Sequence, residues 1–412
     1  FKSIGCLYEA TSCIGAKGSS SYCRRTYFND IFGRMKRQFL ALMVMLICAL
    51  QLSGQTAPRV LIFAEQEYSR LQIKVKGGSY TLTAFTPDSV FTMDYDSDDV
   101  HPLYTFRGDL RLNRAGCDSI RITTKDTFVV RVLRGKNWTL ERPYLGDFIL
   151  RPNLIYLEGI VRIPIEPYIA GVVEAEGGSS SIAEAYYKAQ AVIARTWLIT
   201  NFKKHISEGY HIKDDQSSQA FKGLPHSKNA GVIANACAAL GDTVALHNNA
   251  PIIGFYHSNS GGYTALPEQV WSKSLPYCRE VLDPFSKKGS KAHWEKTYSW
   301  EDWQKYWSPS ISWTASDWTA FFDQLPDTRS TLWTLDAVTF KMETVRRDFK
   351  WRSAYVLPQA TAEGVVVHGY GFGHGVGMAQ QGAMLMGKSG FDWKEILDFY
   401  FKDLEFEPVQ KL

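Results

Sequence analysis

The sequence predicts an α+β protein in which a mixed sheet and helices surround a groove, with a β-rich N-terminal region. Three observations indicate this class. Residues 58–157 alternate or cluster β-branched and aromatic side chains between Gly, Asp and Asn turns, a pattern typical of strands. Residues 167–205 change to helical spacing. A glycine-rich stretch, HGYGFGHGVGMAQQGA at 368–383, then separates later strand patterns from a final helical segment.

The helical part is predicted to hold two consecutive helices. Pro167 suits the first turn of the first helix, and Gly177 and Gly178 should terminate it. Ser179–Ser181 offer N-caps for the second helix, over 182–205. The apolar positions of that second helix have the spacing of one buried face: Ile182, Ala185, Tyr186, Ala189, Val192 and Ile193.

The second half of the chain mixes helices and strands. A helix is predicted over 228–240, and a hairpin should turn at Asn248–Asn249. Residues 294–333, rich in tryptophan, are predicted to form amphipathic helices whose indole rings mainly pack a core, with stacking on sugars as the lesser alternative. The remaining predictions are strands over 339–345 and 355–360 and a closing helix over 391–401.

The N-terminal end has the pattern of an export signal. Residues 1–34 have no clear periodicity and are interpreted as an upstream extension foreign to the native protein. Met35–Arg37 form a basic segment, and Phe39–Leu50 form an uninterrupted run of 12 apolar residues. Because that run is too short to span a bilayer core of about 30 Å, we predict a signal peptide over 35–54 and export to the periplasm or cell surface.

The composition argues against several classes of function. The 46 Lys and Arg nearly balance the 42 Asp and Glu, so nucleic acid is not an expected partner. After residue 54 the cysteines are Cys117, Cys237 and Cys278, an odd number far apart, which predicts no disulfide framework. The sequence contains no H-E-x-x-H motif, and we predict neither a metal nor another cofactor.

The glycine-rich stretch fits neither common phosphate-binding motif. His374 and Val376 stand where the dinucleotide motif G-x-G-x-x-G would need a third glycine. A P-loop is also excluded, because no Lys-Ser or Lys-Thr follows the glycines. Considered alone, a turn before a helix and a functional loop explain the stretch equally well, so the other motifs of the chain must decide.

Several short stretches, in order along the chain, resemble the SpoIID/LytB family (stage II sporulation protein D). They are IPIEPYIAGVVEAE (163–176), YYKAQAVIARTW (186–197), DDQSSQAFKG (214–223), FYHSNSGGYT (255–264), YCREVLDPF (277–285), WRSAYVLP (351–358) and GYGFGHGVGMAQQGA (369–383). The matches occupy residues 162–401, which we predict to be a catalytic domain of this family. The resemblance to the family is weaker over residues 58–157 and in the tryptophan-rich insert near 294–333.

The resemblance implies a function in remodelling the peptidoglycan of the bacterial cell wall. Characterised members are lytic transglycosylases, which cut peptidoglycan strands that lack stem peptides between N-acetylmuramic acid and N-acetylglucosamine and leave a 1,6-anhydro end. The implied partners are glycan strands, with wall amidases as further candidates. The alternative is a non-catalytic glycan-binding module that recruits or activates wall hydrolases, a role that the family also includes.

The catalytic acid of the family corresponds to Glu176. Met-Pro usually follows it, whereas two glycines follow here, so Glu174 stays open as a second choice. A carboxyl at a helix C-terminus faces the negative end of the dipole, which raises its pKa and helps it hold a proton. Lys188 and Arg195 match family positions and are assigned to substrate positioning or to tuning Glu176, with a solvated charged face as the alternative.

Two further loops are predicted to bind the sugar chain. Their glycines would let the backbone approach a sugar, and His374 would hydrogen-bond to hydroxyls or to Glu176. A lone histidine is more often structural, so only the family loop favours a binding role for His257. Gln380 would add an amide, whereas Gln190 lies on another helix face and is interpreted as structural. The predicted substrate-binding residues are His257, Ser258, Ser260, Gly261, Gly262, Tyr263, Gly373, His374, Gly375 and Gln380.

Overall fold

The computed structural model describes residues 57–97, 99–112, 115–177, 183–271 and 273–409. The predictions for the upstream extension, for the signal peptide over 35–54, for Gly178 and for the Ser179–Ser181 caps lie outside these residues. In the part of the chain that the structure describes, no helix is both long and apolar enough to cross a membrane.

The predicted β-rich region consists of strands throughout. They are β1 Arg59–Ile62, β2 Arg70–Val75, β3 Ser79–Phe85, β4 Val90–Asp96, β5 Val100–Phe106, β6 Asp109–Leu112, β7 Ala115–Cys117, β8 Ser119–Thr123, β9 Phe128–Arg134, β10 Asn137–Trp138, β11 Arg142–Tyr144, β12 Asp147–Asn153 and β13 Tyr156–Arg162. In β2, Leu71, Ile73 and Val75 are buried while the residues between them are not, because successive side chains of a strand point to opposite faces.

The rest of the chain mixes helices with short strands. The helices are α1 Ile165–Glu176, α2 Glu184–Thr200, α3 Ala230–Leu240, α4 Pro267–Trp271, α5 Trp300–Trp307, α6 Ala315–Phe322, α7 Met342–Asp348, α8 Gln380–Lys388 and α9 Trp393–Tyr400. The strands are β14 Ile212–Lys213, β15 Thr243–His247, β16 Ala250–Pro251, β17 Tyr256–His257, β18 His293–Ser299, β19 Leu332–Leu335, β20 Val338–Lys341, β21 Val356–Ala360, β22 Gly364–Tyr370, β23 Met378–Ala379 and β24 Glu405–Pro408.

The strands form two large sheets and several small ones. One sheet has the order β14-β1-β13-β12-β8-β3-β4, and the other has the order β10-β9-β2-β5-β6-β7, with β11 also paired to β9. Strand β14 runs parallel to β1, and β17 runs parallel to β23, whereas the other pairs are antiparallel. The predicted α+β class with a mixed sheet is therefore confirmed.

Helix α2 occupies the centre of the main core. Its buried residues include Tyr186, Gln190, Val192 and Arg195, which lie on more than one face. The predicted single buried face was therefore too narrow, because α1, α3, α8, α9 and β15 pack around this helix from several sides. The same hydrophobic cluster extends from β1 to α9, so the β-rich region and the helices share one core.

The tryptophan-rich segment forms a second core. Trp303, Trp307, Trp318 and Trp333 are almost completely buried and pack against one another, so their main role is structural, as predicted. The secondary structure was predicted only in part. Residues 300–307 and 315–322 are helices, but 293–299 is a strand that pairs with β22 along its whole length.

Other elements agree with the predictions except at two places. The hairpin turns at Asn248 and Asn249, both with positive φ, as a tight turn of the predicted kind requires. Residues 342–348 form helix α7 instead of continuing the predicted strand. The predicted closing helix is present as α9, but strand β24 follows it and pairs with β15, a long-range contact that local spacing does not reveal.

Candidate active site

Glu176 is the last residue of α1, and its side chain is partly buried between two loops. The backbone N–H of Ala220 donates to its Oε1 at 2.8 Å, and the Tyr256 hydroxyl donates to the same oxygen at 3.0 Å. The amide of Gln380, at the start of α8, also hydrogen-bonds to this carboxylate. Three distant parts of the chain therefore position one carboxyl group.

Burial raises the pKa of Glu176 above its ordinary value. The hydrogen bonds from Ala220, Tyr256 and Gln380, together with the positive charge of Lys222, lower the pKa again and offset part of this effect. The sequence predicted a raised pKa from the helix dipole, but burial is the main cause in the structure. A carboxyl group that keeps its proton to higher pH suits a general acid.

A second set of polar side chains supports this carboxyl. The Gln219 side chain accepts a hydrogen bond from the Tyr168 hydroxyl at 3.2 Å and donates to the Ala194 carbonyl at 3.2 Å. The Gln380 amide donates to Gln190 Oε1 at 3.4 Å. Gln190 therefore contacts the site through Gln380, whereas the sequence had placed it on an unrelated face. These groups fix the orientation of the donors around the carboxyl.

The second-choice acid, Glu174, is engaged in holding a loop. Its carboxylate accepts the backbone N–H groups of His226 and Ser227, each at 3.0 Å, just before α3 begins. Its side chain is only 11% exposed. Because both oxygens of Glu174 are hydrogen-bonded to the backbone, the geometry favours Glu176 as the reactive carboxyl.

Lys188 and Arg195 each form an ion pair, but neither pairs with Glu176. Lys188 Nζ lies 2.7 Å from Glu184 Oε1, one helical turn away on the outer face of α2. Arg195 is buried, pairs with Glu166 at 2.7 Å and donates to the Thr243 carbonyl at 2.9 Å. Arg195 thus connects the start of α1 to β15. The roles predicted for Lys188 and Arg195, substrate positioning or tuning of Glu176, stay predictions.

Strands β17 and β23 bring the two predicted sugar-binding loops together. Tyr256 pairs with Met378, and His257 pairs with Ala379. Gly373 has a φ of +111°, and a Cβ placed there would lie 2.8 Å from the Cβ of His257. The close approach of the loops therefore requires a bare backbone at Gly373, and crowding between the two loops, rather than space for a ligand, explains this glycine.

His257 and His374 are neutral side chains that brace this contact. His257 Nδ1 hydrogen-bonds to the Val376 carbonyl at 3.1 Å, and burial is the main reason that its pKa lies well below the usual range. The Val376 N–H donates to His374 Nδ1 at 3.0 Å, and His374 also hydrogen-bonds to the Tyr256 backbone. Burial lowers the pKa of His374 to about 3. The predicted hydrogen bond from His374 to Glu176 is thus replaced by bonds to the backbone.

Most of the other predicted residues of the 258–263 loop form hydrogen bonds to neighbouring parts of the protein. Ser260 is buried, and its hydroxyl donates to Asp283 at 2.9 Å. The Tyr263 carbonyl accepts from Arg329 at 3.2 Å. Ser258 is only partly buried, and its hydroxyl accepts from Lys291 at 3.1 Å. Gly261 and Gly262 have positive φ, as the tight turn of this loop requires.

Gly375 and Gln380 complete the predicted set. Gly375 lies against the guanidinium group of Arg329, 2.8 Å from where its Cβ would be. Gln380 reaches the carboxyl of Glu176, as its predicted role in the groove requires. Ala220 and Tyr256 lie in two of the stretches that resemble the family, but neither was predicted as a site residue. A backbone donor and a tyrosine hydroxyl carry no local signal in a sequence.

Replacing Gly373 by Ala is expected to lower the free energy of unfolding by about 2 kcal/mol, because it adds both a strained φ and a clash with His257. The control is Gly390→Ala, where φ is +95° but nothing lies within 4 Å of the added Cβ. That change should cost only about 1 kcal/mol. Urea unfolding measures both values, and equal losses would contradict the close approach of the loops.

The fold and the site define a class of protein: an α+β protein with a partly buried glutamate at the end of a helix, beside two glycine-rich loops that pack closely together. Residues 156–246 match the SpoIID family model, described as "Stage II sporulation protein". This match covers α1, α2 and Glu176, and it supports a place for the chain in the SpoIID family.

Three relatives illustrate the range of the likeness. Stage II sporulation protein D of Bacillus subtilis is 28% identical over 265 residues, which cover 61% of this chain and 77% of the relative. An uncharacterized protein of Brachyspira hyodysenteriae is 24% identical over 86% of this chain and 96% of its own length. The protein of Bacillus subtilis named amidase enhancer is 26% identical over 57% of this chain, but only 39% of the relative is covered.

Proposed function

We propose that this chain is an exported cell-wall enzyme, a lytic transglycosylase that cleaves the bond between N-acetylmuramic acid and N-acetylglucosamine in peptidoglycan. The match to the SpoIID family model and the likeness to an amidase enhancer support a role at the cell wall. The observation that carries the proposal is the carboxyl of Glu176, which is partly buried, has a raised pKa and is positioned by Ala220, Tyr256 and Gln380.

One carboxyl group suffices for this chemistry. The carboxyl of Glu176 donates its proton to the leaving glycosidic oxygen as the bond to C1 of the muramic acid breaks. The C6 hydroxyl of the same sugar then bonds to C1 and closes the anhydro ring. Its proton passes to the Glu176 carboxylate, which restores the starting acid, so no water is consumed.

Hydrolysis by an inverting or retaining enzyme would normally need a second carboxylate. Glu174 and Asp214 lie in the stretches that resemble the family and are candidates for this second carboxylate, but both are bound to other groups of the fold. Glu174 holds the backbone before α3, and Asp214 accepts from the backbone N–H groups of Phe63 and Ala64 and pairs with Arg142 at 2.8 Å. This arrangement favours the one-carboxylate reaction.

The pH dependence tests the role of Tyr256. Glu176 must be protonated to act, so the rate should fall as the pH rises through its pKa. Because the Tyr256 hydroxyl stabilises the ionised carboxylate, Tyr256→Phe should raise that pKa and move the alkaline limb of the pH–rate profile to higher pH.

The matched control is Tyr186→Phe. The buried hydroxyl of Tyr186 has no hydrogen-bond partner among the described residues, so its loss should leave the alkaline limb almost in place. A profile of Tyr256→Phe that coincides with the wild type, or that moves to lower pH, would contradict the assignment of Glu176 as the acid.

The likeness to an amidase enhancer favours one alternative, a glycan-binding module that activates a wall amidase. The full chain and its Glu176→Gln variant should be incubated with denuded glycan strands, and also with intact wall and an amidase. An enzyme loses product formation with the variant. A recruiting module forms no product in either case, and its variant still stimulates the amidase.

A further inference from the structure

A cavity of about 490 Å³ lies between the short helix α4 and helix α7. Its volume falls within the range of small-molecule sites, about 300–1,000 Å³. The residues that line it are Val270, Trp271, Lys341, Glu343, Thr344, Arg346, Arg347, Lys350 and Trp351.

The lining of this cavity is strongly basic. Four cationic side chains and one carboxylate contribute to it. The carboxylate of Glu343 pairs with Arg346 at 2.5 Å, and Arg347 Nε lies 3.6 Å from Asp348 Oδ1. The cations of the lining still outnumber its single carboxylate. The side chain of Arg347 is 74% exposed, and Lys350 is also exposed, so both can turn toward an anion.

An aromatic surface adjoins the basic residues. Trp271 lines the cavity and is 46% exposed, although it is a large apolar side chain. Phe255 stacks on it with ring centroids 4.6 Å apart and an interplanar angle of 24°, which holds the indole in a fixed orientation. A rigid exposed aromatic ring can support the apolar face of a sugar.

The cavity continues toward the predicted sugar-binding loops. A narrow cleft shares Val270 and Glu343 with it and is also lined by Arg329 and His374. The rings of Trp271 and His374 lie 4.9 Å apart. A sugar chain that lies on Trp271 would therefore pass close to these loops and reach the basic cavity.

We propose that this cavity binds a carboxylate group carried by a glycan strand, with Trp271 under the sugar ring and Arg347 and Lys350 as the cationic partners. Arginine and lysine form charge-assisted hydrogen bonds with carboxylates, and the aromatic surface explains why the carboxylate belongs to a sugar. The choice of peptidoglycan rests on the proposed function. Two sources offer this chemistry: the lactyl ether of N-acetylmuramic acid and the stem peptide.

Equilibrium binding of the full chain to three strand preparations tests the proposal: denuded strands, denuded strands whose carboxyl groups have been reduced to alcohols, and strands that keep their stem peptides. The variant is Arg347→Gln/Lys350→Gln. The control is Arg134→Gln/Lys136→Gln, which removes the same two charges from exposed positions around the turn between β9 and β10.

We expect the cavity variant to bind carboxylate-bearing strands at least about tenfold more weakly than the wild type does, and reduced strands equally well. The control should bind like the wild type. Weakening confined to denuded strands assigns the carboxylate to the lactyl group, and weakening confined to the third preparation assigns it to the stem peptide. Equal affinity of wild type and cavity variant for all three preparations would overturn the proposal.

The outcome is separable from that of the proposed function. Glu176→Gln leaves the cavity intact and should keep the preference for carboxylate-bearing strands. That preference without any cleavage product would refute the enzyme and leave the binding site standing. Cleavage that depends on Glu176, with equal affinity of the cavity variant, would do the reverse.

Discussion

Glu176→Gln is expected to reduce the cleavage of denuded glycan strands by about 10²- to 10⁴-fold, the range typical of a lost general acid. Glutamine has nearly the same shape, and its carbonyl oxygen can still accept from Ala220 and Tyr256. The fold and the affinity for strands should therefore survive. Initial rates, thermal unfolding and strand binding, measured on the same preparations, separate the loss of catalysis from damage to the site.

Glu174→Gln is the matched control for this experiment. Its carbonyl oxygen can still accept from the backbone N–H groups of His226 and Ser227, so the loop before α3 should remain in place. Cleavage should stay within a few-fold of the wild type. Loss of activity in Glu174→Gln with full activity in Glu176→Gln would mean that the acid has been assigned to the wrong residue.

Arg195→Met is expected to lower the free energy of unfolding by about 3 kcal/mol. Removing one partner of a buried ion pair costs about 3–5 kcal/mol, and the lower end applies because Glu166 is 41% exposed and regains contact with water. The Thr243 carbonyl also loses its donor. Urea unfolding measures the change, and the specific activity of the folded protein should remain close to that of the wild type.

Lys188→Met provides the comparison on the same helix. Its pair with Glu184 lies at the surface, with 25% and 56% of the two side chains exposed, so the expected cost is at most about 1 kcal/mol. If Arg195→Met kept full stability but lost activity, Arg195 would be a substrate-positioning residue, as the sequence alone predicted, and its structural role would be wrong.

The sequence predicted those parts of the fold that depend on local spacing. The structure contains the predicted alternation of buried and exposed side chains in strands such as β2. It also contains the helix that ends before Gly177 and the turn at Asn248–Asn249. The strand over 293–299 and the helix over 342–348 were missed. The first exists because it pairs with β22, a partner more than 60 residues away, and that contact outweighs the local preference.

The sequence predicted the central residue of the candidate site, but it did not predict most of the groups around that residue. Glu176 was named from its place in the family motif, but the donors that position it come from Ala220, Tyr256 and Gln380, and only Gln380 was named beforehand. Arg195 fitted a functional pattern on the helix surface, yet it is buried because β15 and α1 close over it. Such partners follow from tertiary packing, which helical spacing does not encode.

The most direct test of the central claim is mass spectrometry of the strand ends that the full chain produces from denuded glycan. In the proposed mechanism one carboxyl group acts as both acid and base, and no water takes part. This mechanism predicts 1,6-anhydro-N-acetylmuramic acid ends, which form with the wild type and not with Glu176→Gln. Reducing ends would mean that water attacks the sugar, and the one-carboxylate mechanism would then be wrong.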